Sequence, residues 1–441
     1  MSSIPALRTL AAAIPVLSAS LLLGACSTDR GTGRDSRASE DTRLATATAA
    51  AIAPTSEPGQ PSAADLKEIA HRLVTTSLGV HPGDVVVIDG GPHTTGLMEE
   101  IAIETQKAGG LPNMWLESPR VARALMTEVP DKYLDQKPSY LASWYGHTTV
   151  WIGLGAFEDP KAVFADVPEA KLARLNAAGQ EVFGMLNASP IRAAFLEYPT
   201  TGQAALAGLP VERFRAMQWA AIGADYTRIA ATAKALKARL ATAKEVHITT
   251  GAGTDLRLAL AGRPIVVNAG IVSQGPAREK LLLNRFVSLP GGAVSLAPKE
   301  SSVTGTLVVP RDRCKFKPLA NARYTFANGT LTGAKAAEGD ACLQDNLTVY
   351  GAPMHRLGSF TIGLNPGLQV IEESGADYRP GAAAGQVTLA LGDNQLLGGA
   401  NTVPGGVSVD LPVTRATVEI DGEKVIEDGK LVGNRVAIEA R

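Results

Sequence analysis

The hydrophobic pattern of this 441-residue chain changes in kind near its middle, and this change constrains the fold more than any other feature. Before Glu245, short apolar runs alternate with helical patterns: residues 85–88 favour a buried strand, and a helix over 95–108 follows. Such alternation predicts a mainly parallel sheet, whereas the short β-type runs after Glu245 predict a β-rich region. We therefore expect a Rossmann-like α/β domain over 63–247 and a β-rich α+β domain over 248–441.

The remaining elements follow from the same periodicities. A long helical stretch is predicted over 210–243, which is rich in Ala, Leu, Arg and Lys. Further strands are predicted at 112–116, 150–154, 182–186, 245–250, 255–260, 305–309, 361–364, 387–391 and 416–420. Gly and Pro separate the strands of the second half, which is typical of short strands joined by turns.

The first 26 residues have the pattern of an export signal. A basic start that ends at Arg8 precedes an uncharged apolar stretch, and small residues then lead to Cys26. The Leu-Gly-Ala-Cys ending at 23–26 resembles the bacterial lipobox, in which the cysteine is lipidated and becomes the mature N-terminus. The apolar run is shorter than the ~20 residues of a membrane span. An ordinary cleaved signal peptide and a buried helix are the alternatives.

This signal predicts the location of the protein. We expect a lipoprotein of the bacterial cell envelope, attached to the membrane through Cys26. Ser27 rather than Asp follows the cysteine, which favours the outer membrane where one exists. Residues 27–62 are rich in Ser, Thr, Ala and Gly, contain no aromatic residue, and are expected to form a flexible tether. The net charge of −1 and the lack of a basic stripe argue against nucleic acid as a partner.

Two of the three cysteines remain once Cys26 carries lipid. In an oxidising envelope Cys314 and Cys342 could form a disulfide, which would close a loop of 28 residues. A bridge of that length stabilises by roughly 3 kcal/mol in the chain-entropy model. Two buried thiols are the alternative.

The common catalytic motifs are missing from the sequence. It contains no G-x-S-x-G, H-E-x-x-H, P-loop or C-x-x-C, and the turn after the first predicted strand lacks G-x-G-x-x-G. No histidine stands at a standard ligand spacing from another histidine or a carboxylate. His355 stands out because it lies in a loop just before a predicted strand. Asp410 stands out because its carboxylate interrupts an apolar strand pattern.

Fragments in both halves resemble the aminopeptidase T/aminopeptidase S family of metallo-aminopeptidases. The fragments lie at 73–84, 107–112, 198–204, 253–258, 289–294, 358–366, 389–392 and 398–401. Among them are Leu-Val-Thr-Thr-Ser-Leu-Gly-Val-His-Pro-Gly-Asp and Gly-Ser-Phe-Thr-Ile-Gly-Leu-Asn-Pro, and the likeness extends from about residue 64 to the C-terminus. The resemblance implies an aminopeptidase T-like fold, a homodimer, and two metal ions held by carboxylates and histidines in the second domain. Such metals polarise a carbonyl and generate hydroxide.

Most of the metal-ligand positions implied by this resemblance hold other residue types. Two Glu and two His positions are occupied by Ala293, Ser359, Thr388 and Ser408. Only Asp410 keeps the family's residue, and Gln395 lies near the position of a ligand tyrosine. A methyl group coordinates nothing, and a neutral hydroxyl replaces imidazole poorly. Asp410 and His355, the latter as a displaced ligand, are therefore the candidate catalytic residues.

Three functions remain open at this point. A protein without the metals would need no cofactor and would bind a peptide or small molecule, or catalyse a different reaction, between its domains. Its site would be lined by Asn284, His355, Ser359, Thr388, Ser408 and Asp410. With atypical ligands it would instead be a zinc or cobalt aminopeptidase, and with a vestigial cleft a non-catalytic interaction protein of the envelope. Dihydroxypyridine ring-cleaving dioxygenases use a related scaffold, but their two-His, one-Asp iron site meets the same objection.

Overall fold

The computed structural model describes most of the chain after residue 58. The described residues are 59–133, 144, 146–164, 167–168, 171, 189–260, 262–273, 284–314, 317–373, 376–403 and 406–432. The predicted signal with Cys26, most of the predicted tether and the strand predicted at 182–186 lie outside them. Within these ranges, no helix combines the length and the apolarity needed to cross a bilayer.

Helices and strands alternate in the first half. The helices are α1 (Ala63–Arg72), α2 (Thr95–Lys107), α3 (Pro119–Thr127), α4 (Pro160–Val163), α5 (Thr201–Ala207), α6 (Val211–Ile222) and α7 (Tyr226–Thr242). A π-helical turn, Leu73–Ser77, continues α1, and 3-10 turns lie at Pro92–Thr94 and Asp131–Tyr133. The strands are β1 (Val85–Gly90), β2 (Leu111–Leu116), β3 (Val150–Gly153) and β4 (Arg192–Leu196).

Strands dominate the second half. They are β5 (Glu245–Thr249), β6 (Asp255–Ala259), β7 (Val266–Asn268), β8 (Phe286–Leu289), β9 (Ala293–Leu296), β10 (Thr304–Cys314), β11 (Lys317–Ala327), β12 (Thr330–Lys335), β13 (Leu357–Gly363), β14 (Ile371–Glu373), β15 (Ala376–Tyr378), β16 (Val387–Gly392), β17 (Ser408–Val413), β18 (Thr417–Ile420), β19 (Glu423–Glu427) and β20 (Lys430–Leu431). Helix α8 is Asp340–Tyr350, and 3-10 turns lie at Ala352–His355 and Gln395–Leu397.

The strands form a parallel sheet and two antiparallel sheets. The parallel sheet has the order β2-β1-β3-β4-β8. The antiparallel sheets have the orders β12-β11-β10-β6-β5-β18-β19-β20 and β17-β16-β13-β9-β7, and β14 and β15 form a separate pair. A single apolar cluster packs residues of all three sheets together. The predicted α/β sheet followed by a β-rich region is confirmed.

Local sequence explains where β1 and α2 lie and why α7 begins at a new cap. The strand predicted at 85–88 and the helix predicted over 95–108 are present as β1 and α2. The helical stretch predicted over 210–243 is present as two helices, α6 and α7, with a break between them. Asp225 begins α7 by accepting a hydrogen bond from the Arg228 N–H (3.1 Å), so the chain restarts rather than continues the helix.

Strand β8 joins the two halves of the molecule. It lies beyond residue 247, yet it pairs in parallel with β4, with Ala193 opposite Phe286 and Leu196 opposite Leu289. The chain thus leaves the five-stranded antiparallel sheet after β7, returns to the parallel sheet at β8, and enters the antiparallel sheet again at β9. The boundary predicted at 247/248 stays a prediction, and the parallel sheet is not built from residues before it alone.

A buried hydrogen-bond network fixes the turn between β8 and β9, which contains a cis Leu289–Pro290 bond. The Tyr226 hydroxyl accepts from Gly291 N–H (3.0 Å) and donates to the Ala221 carbonyl (2.9 Å). The Asn365 amide donates to the carbonyls of Gly291 (2.7 Å) and Ala221 (3.1 Å). Residues from α6, α7 and the loop after β13 are therefore tied to the same turn, which holds the two halves in register.

A disulfide lies in the second half. Cys314, the last residue of β10, bonds to Cys342 in α8 with an S–S distance of 2.08 Å. It attaches α8 to the edge region of the eight-stranded sheet.

Candidate functional site

The ligand positions implied by the sequence resemblance lie on one face of the five-stranded antiparallel sheet. Alternate residues of a strand point to the same face, and paired residues on neighbouring strands share it. Ser359 lies opposite Ala390, which lies opposite Asp410, while Thr361 lies opposite Thr388. Here we call this side the polar face. It includes Asn268, Ala293, Ser295, Ser359, Thr361, Thr388, Ala390, Ser408 and Asp410.

The opposite face of the same sheet is apolar. It carries Val294, Leu296, Phe360, Ile362, Val387, Leu389, Leu391, Leu411 and Val413, all of which are buried in the main core. The strict alternation of hydroxyl-bearing and apolar residues is therefore what places the hydroxyls together. The same alternation is the sequence signal that identifies Ser295 and Thr361 as residues of the polar face.

Four hydroxyls near the centre of the polar face differ in their hydrogen bonding. Ser295 Oγ and Thr361 Oγ1 bond to each other at 2.8 Å. Ser359 Oγ and Thr388 Oγ1 have no hydrogen-bond partner among the described residues, although Ser359 is only 2% and Thr388 only 4% exposed. A buried hydroxyl without a partner costs about 1–3 kcal/mol, and native proteins contain few of them. The Ser359 and Thr388 hydroxyls can therefore each form a hydrogen bond with a further polar group.

The other predicted site residues are more scattered. Asp410 is half-buried in the middle of β17, and Ser408 is buried at the start of that strand. Asn284 is half-buried just before β8. His355 ends a 3-10 turn that precedes β13, so it is not one of the strand residues of the polar face. Gln395 lies in a separate turn, where its amide donates to the Thr402 hydroxyl (2.9 Å).

The side chains of the polar face do not fit the two metal ions that the fold family implies. Among the described residues, no group of three or more His, Cys, Asp or Glu side chains is placed to hold a metal. The described polar face offers hydroxyls, one amide and the Asp410 carboxylate, whereas zinc takes thiolate, imidazole and carboxylate ligands. We therefore assign no chemical step to a metal at this site.

Solved structures with a fold similar to this chain include the following two. Wild-type AmpT from Thermus thermophilus matches with a TM-score of 0.63 and 18% sequence identity, over 84% of this chain and 99% of that chain. The 2,5-dihydroxypyridine dioxygenase of Pseudomonas putida KT2440 matches with a TM-score of 0.56 and 15% identity, over 86% of this chain and 100% of that chain. At these identities the similarity shows a shared fold.

The family follows from the sequence itself. No curated protein sequence matches the chain. A family model described as thermophilic metalloprotease (M29) matches residues 62–370, which is most of the chain. The resemblance described from the sequence fragments is thereby confirmed. This chain belongs to the M29 peptidase family, the family of aminopeptidase T.

Proposed function

We propose that this protein is a metal-independent member of the M29 family that binds a peptide or a small polar molecule at the polar face. The observation that carries this proposal is the pair of buried hydroxyls, Ser359 Oγ and Thr388 Oγ1, that lack a partner in the described part of the chain. A ligand that supplies an amide, hydroxyl or amino group there would complete their hydrogen bonds. The stabilisation regained would contribute directly to affinity.

The strand register gives this site its dimensions. Ser359 and Asp410 flank Ala390 from the two neighbouring strands. Paired side chains on antiparallel strands are about 4.5–5.5 Å apart, so the two polar groups are separated by roughly 10 Å. Thr388 lies on the same face, two residues from Ala390. The side chains of Ser359, Thr388 and Asp410 thus lie around the Ala390 methyl group. The distance that they span is about the size of one amino acid residue.

The negative charge on the polar face favours one class of ligand. Asp410 is the one carboxylate that the described strands place on the polar face, and its neighbours there carry neutral hydroxyls. A ligand with a positively charged or hydrogen-bond-donating group complements this arrangement. The amino terminus of a peptide has that chemistry, and so do small amino compounds.

An active metal-dependent aminopeptidase is the second candidate function. Family membership over residues 62–370 favours it. It requires metal ligands beyond those that the described strands bring to the polar face. Under this alternative, Asp410 would be one ligand of two metal ions rather than a contact for an amino group.

Metal content and ligand binding separate the two candidates. The protein would be purified without chelator and analysed for bound metals beside Asp410→Asn, with the exposed Asp345→Asn as the matched control. Thermal shifts with dipeptides and amino-acid amides would then be measured for the same proteins and for Ser359→Ala. We expect no stoichiometric metal, and stabilisation by an amino compound that Asp410→Asn and Ser359→Ala weaken and Asp345→Asn leaves unchanged.

The opposite outcome is equally concrete. About two metal equivalents that disappear in Asp410→Asn, together with turnover of an aminoacyl-arylamide, would establish the aminopeptidase and refute the metal-independent site. If no amino compound shifts the unfolding temperature and no metal binds, the polar face is not a binding site. The protein would then be an interaction protein.

We also propose that lipid on Cys26 attaches the protein to the bacterial cell envelope, at the outer membrane where one exists. The support is the Leu-Gly-Ala-Cys pattern at 23–26 and the apolar run before it. The homodimer implied by the sequence resemblance stays a prediction, which analytical ultracentrifugation of the protein can test.

A further inference from the structure

Two carboxyl groups are buried on one face of the parallel sheet, far along the chain from the polar face. Asp89 in β1 is 3% exposed, and Glu117, which directly follows β2, is 8% exposed. The Glu117 N–H donates to the Gly90 carbonyl (2.8 Å), so the pairing of the two strands continues through Glu117. Trp115 lies opposite Asp89, and Glu117 lies two residues further along β2, on the same face.

The pair lacks a compensating positive charge among the described residues. Asp89 accepts one hydrogen bond, from Trp151 Nε1 (2.6 Å), whereas Glu117 Oε1 is buried without a hydrogen-bond partner in that part of the chain. Burial raises the pKa of Asp89, and the neighbouring Glu117 raises it further. Burial raises the pKa of Glu117 to about 8. Without a cation, the pair avoids the cost of two buried negative charges by holding protons.

Aromatic rings lie on the same side of the sheet as these carboxyl groups. The half-buried rings of Trp115 and Trp144 contact each other edge to face, with centroids 4.7 Å apart. Trp151 reaches Asp89 from β3. Three of the four tryptophans of the chain therefore lie at this place. Aromatic faces beside carboxylates attract organic ammonium ions, both through the ring quadrupole and through direct charge pairing.

The position in the sheet is one where open α/β sheets bind ligands. Asp89 and Glu117 lie at the carboxyl ends of β1 and β2, next to β3. The chain leaves β1 to form β2 on one side and then crosses to β3 on the other, so the strand order reverses at β1. Ligands of such sheets bind outside the carboxyl ends of the strands at this reversal.

We propose that Asp89, Glu117 and the indole rings of Trp115 and Trp144 form a second binding site, for an organic ammonium ion. The ammonium group lies between the two carboxyl groups, and its carbon substituents contact the indoles. Binding releases to solvent a proton held by the carboxyl pair, while the ligand keeps its own charge. This site uses no residue of the polar face, so it stands or falls independently of the function proposed above.

The proton exchange gives the site a defined pH dependence. The charged neighbours are Asp89 on β1 and two arginines on α3, directly after Glu117. Arg120 is exposed, and the half-buried Arg123 donates to the Val163 carbonyl (3.1 Å). Since the cation competes with a proton, affinity should rise as the pH rises from about 6 to about 8. Above the range in which Glu117 titrates, the affinity should level off.

The test uses simple ammonium probes on the complete protein. Binding of n-butylammonium and of tetramethylammonium would be followed by ligand-detected NMR and by tryptophan fluorescence, with 1-pentanol as the uncharged control. We expect saturable binding of the ammonium ions, proton release in calorimetry with two buffers, and a loss of about tenfold or more in affinity in Glu117→Gln. The two ammonium ions distinguish a primary from a quaternary amine as the preferred ligand.

Two controls keep the result interpretable. Glu128→Gln changes an exposed glutamate at the end of α3 and should leave binding unchanged. Trp115→Leu removes the aromatic wall but keeps both carboxyl groups, and should weaken the quaternary ion more than the primary one. Equal binding of 1-pentanol, unchanged affinity in Glu117→Gln, or no saturable binding of either ion would each overturn the proposal.

Discussion

Thr388 and Thr361 lie directly opposite each other on β16 and β13, and only one of their hydroxyls has a partner. Thr361 Oγ1 bonds to Ser295 Oγ at 2.8 Å, whereas Thr388 Oγ1 is buried without a partner among the described residues. Replacing each threonine by valine keeps the shape of the side chain and removes the hydroxyl. The two substitutions should therefore change the free energy of unfolding in opposite directions.

The magnitudes follow from the cost of a buried polar group. Thr388→Val removes a hydroxyl that costs about 1–3 kcal/mol in the ligand-free protein, so the variant should be more stable by roughly 1–2 kcal/mol. Thr361→Val leaves Ser295 Oγ buried and unpaired, so it should be less stable by about 1–3 kcal/mol. The two variants should differ by about 2–5 kcal/mol, the sum of the two effects. Combining Thr361→Val with Ser295→Ala should recover most of the loss, because both partners are then apolar.

Guanidinium unfolding followed by circular dichroism is the assay, and the midpoint should shift while the slope of the transition stays constant. A ligand of the polar face should in addition bind Thr388→Val more weakly than the wild type. If Thr388→Val destabilises the protein as much as Thr361→Val does, then the Thr388 hydroxyl has a partner. The Thr388 hydroxyl would then have no unmet hydrogen bond left for a ligand at the polar face.

Four further measurements test other parts of the structure. Reduction of the Cys314–Cys342 bridge, which spans 28 residues, should lower the free energy of unfolding by roughly 3–4 kcal/mol, as seen in guanidinium midpoints with and without reductant. Asn365→Ala removes two donors to buried carbonyls and should cost about 3 kcal/mol by the same assay, unlike a substitution at the surface. Burial raises the Glu117 pKa from 4.5 to about 8. The protonated carboxyl group therefore contributes its full share of stability below about pH 4.5, and this contribution is lost as the pH rises through about 8. Glu117→Gln should flatten that part of the stability–pH profile, and an unchanged profile would contradict the assigned burial. Cys26→Ser should abolish lipid labelling and release the protein from membranes; labelling that persists would disprove lipidation there.

Hydrophobic periodicity predicted the elements whose packing is local. The apolar run at 85–88 is visible in the sequence because β1 is buried within the parallel sheet. The helical spacing over 95–108 is visible because α2 buries the apolar residues of one side. The break between α6 and α7 depends on a side-chain cap at Asp225, which competes with high helix propensity on both sides. Propensity alone therefore predicted one helical stretch where the structure has two helices.

Contacts between distant segments could not be read from the sequence. The place of β8 in the parallel sheet depends on pairing with β4, and no periodicity within Phe286–Leu289 specifies that partner. The face shared by Asp89 and Glu117 likewise depends on the register between β1 and β2. The alternation of hydroxyl and apolar residues around Thr361 and Thr388 is present in the sequence. Which hydroxyls lack a hydrogen-bond partner depends on how the strands pair in the sheet.

Strand β8 also limits when the fold can be completed as the chain emerges from its N-terminus. Strand β4 precedes β8, its neighbour in the parallel sheet, by about 90 residues. Until those residues have emerged, whether from the ribosome or from an export channel, the outer edge of β4 has no partner. Four of the five residues of that strand are apolar, and all five are buried in the finished molecule, so this open edge is a template for wrong pairing. The parallel sheet is therefore completed only after residues of the second half of the sequence have emerged.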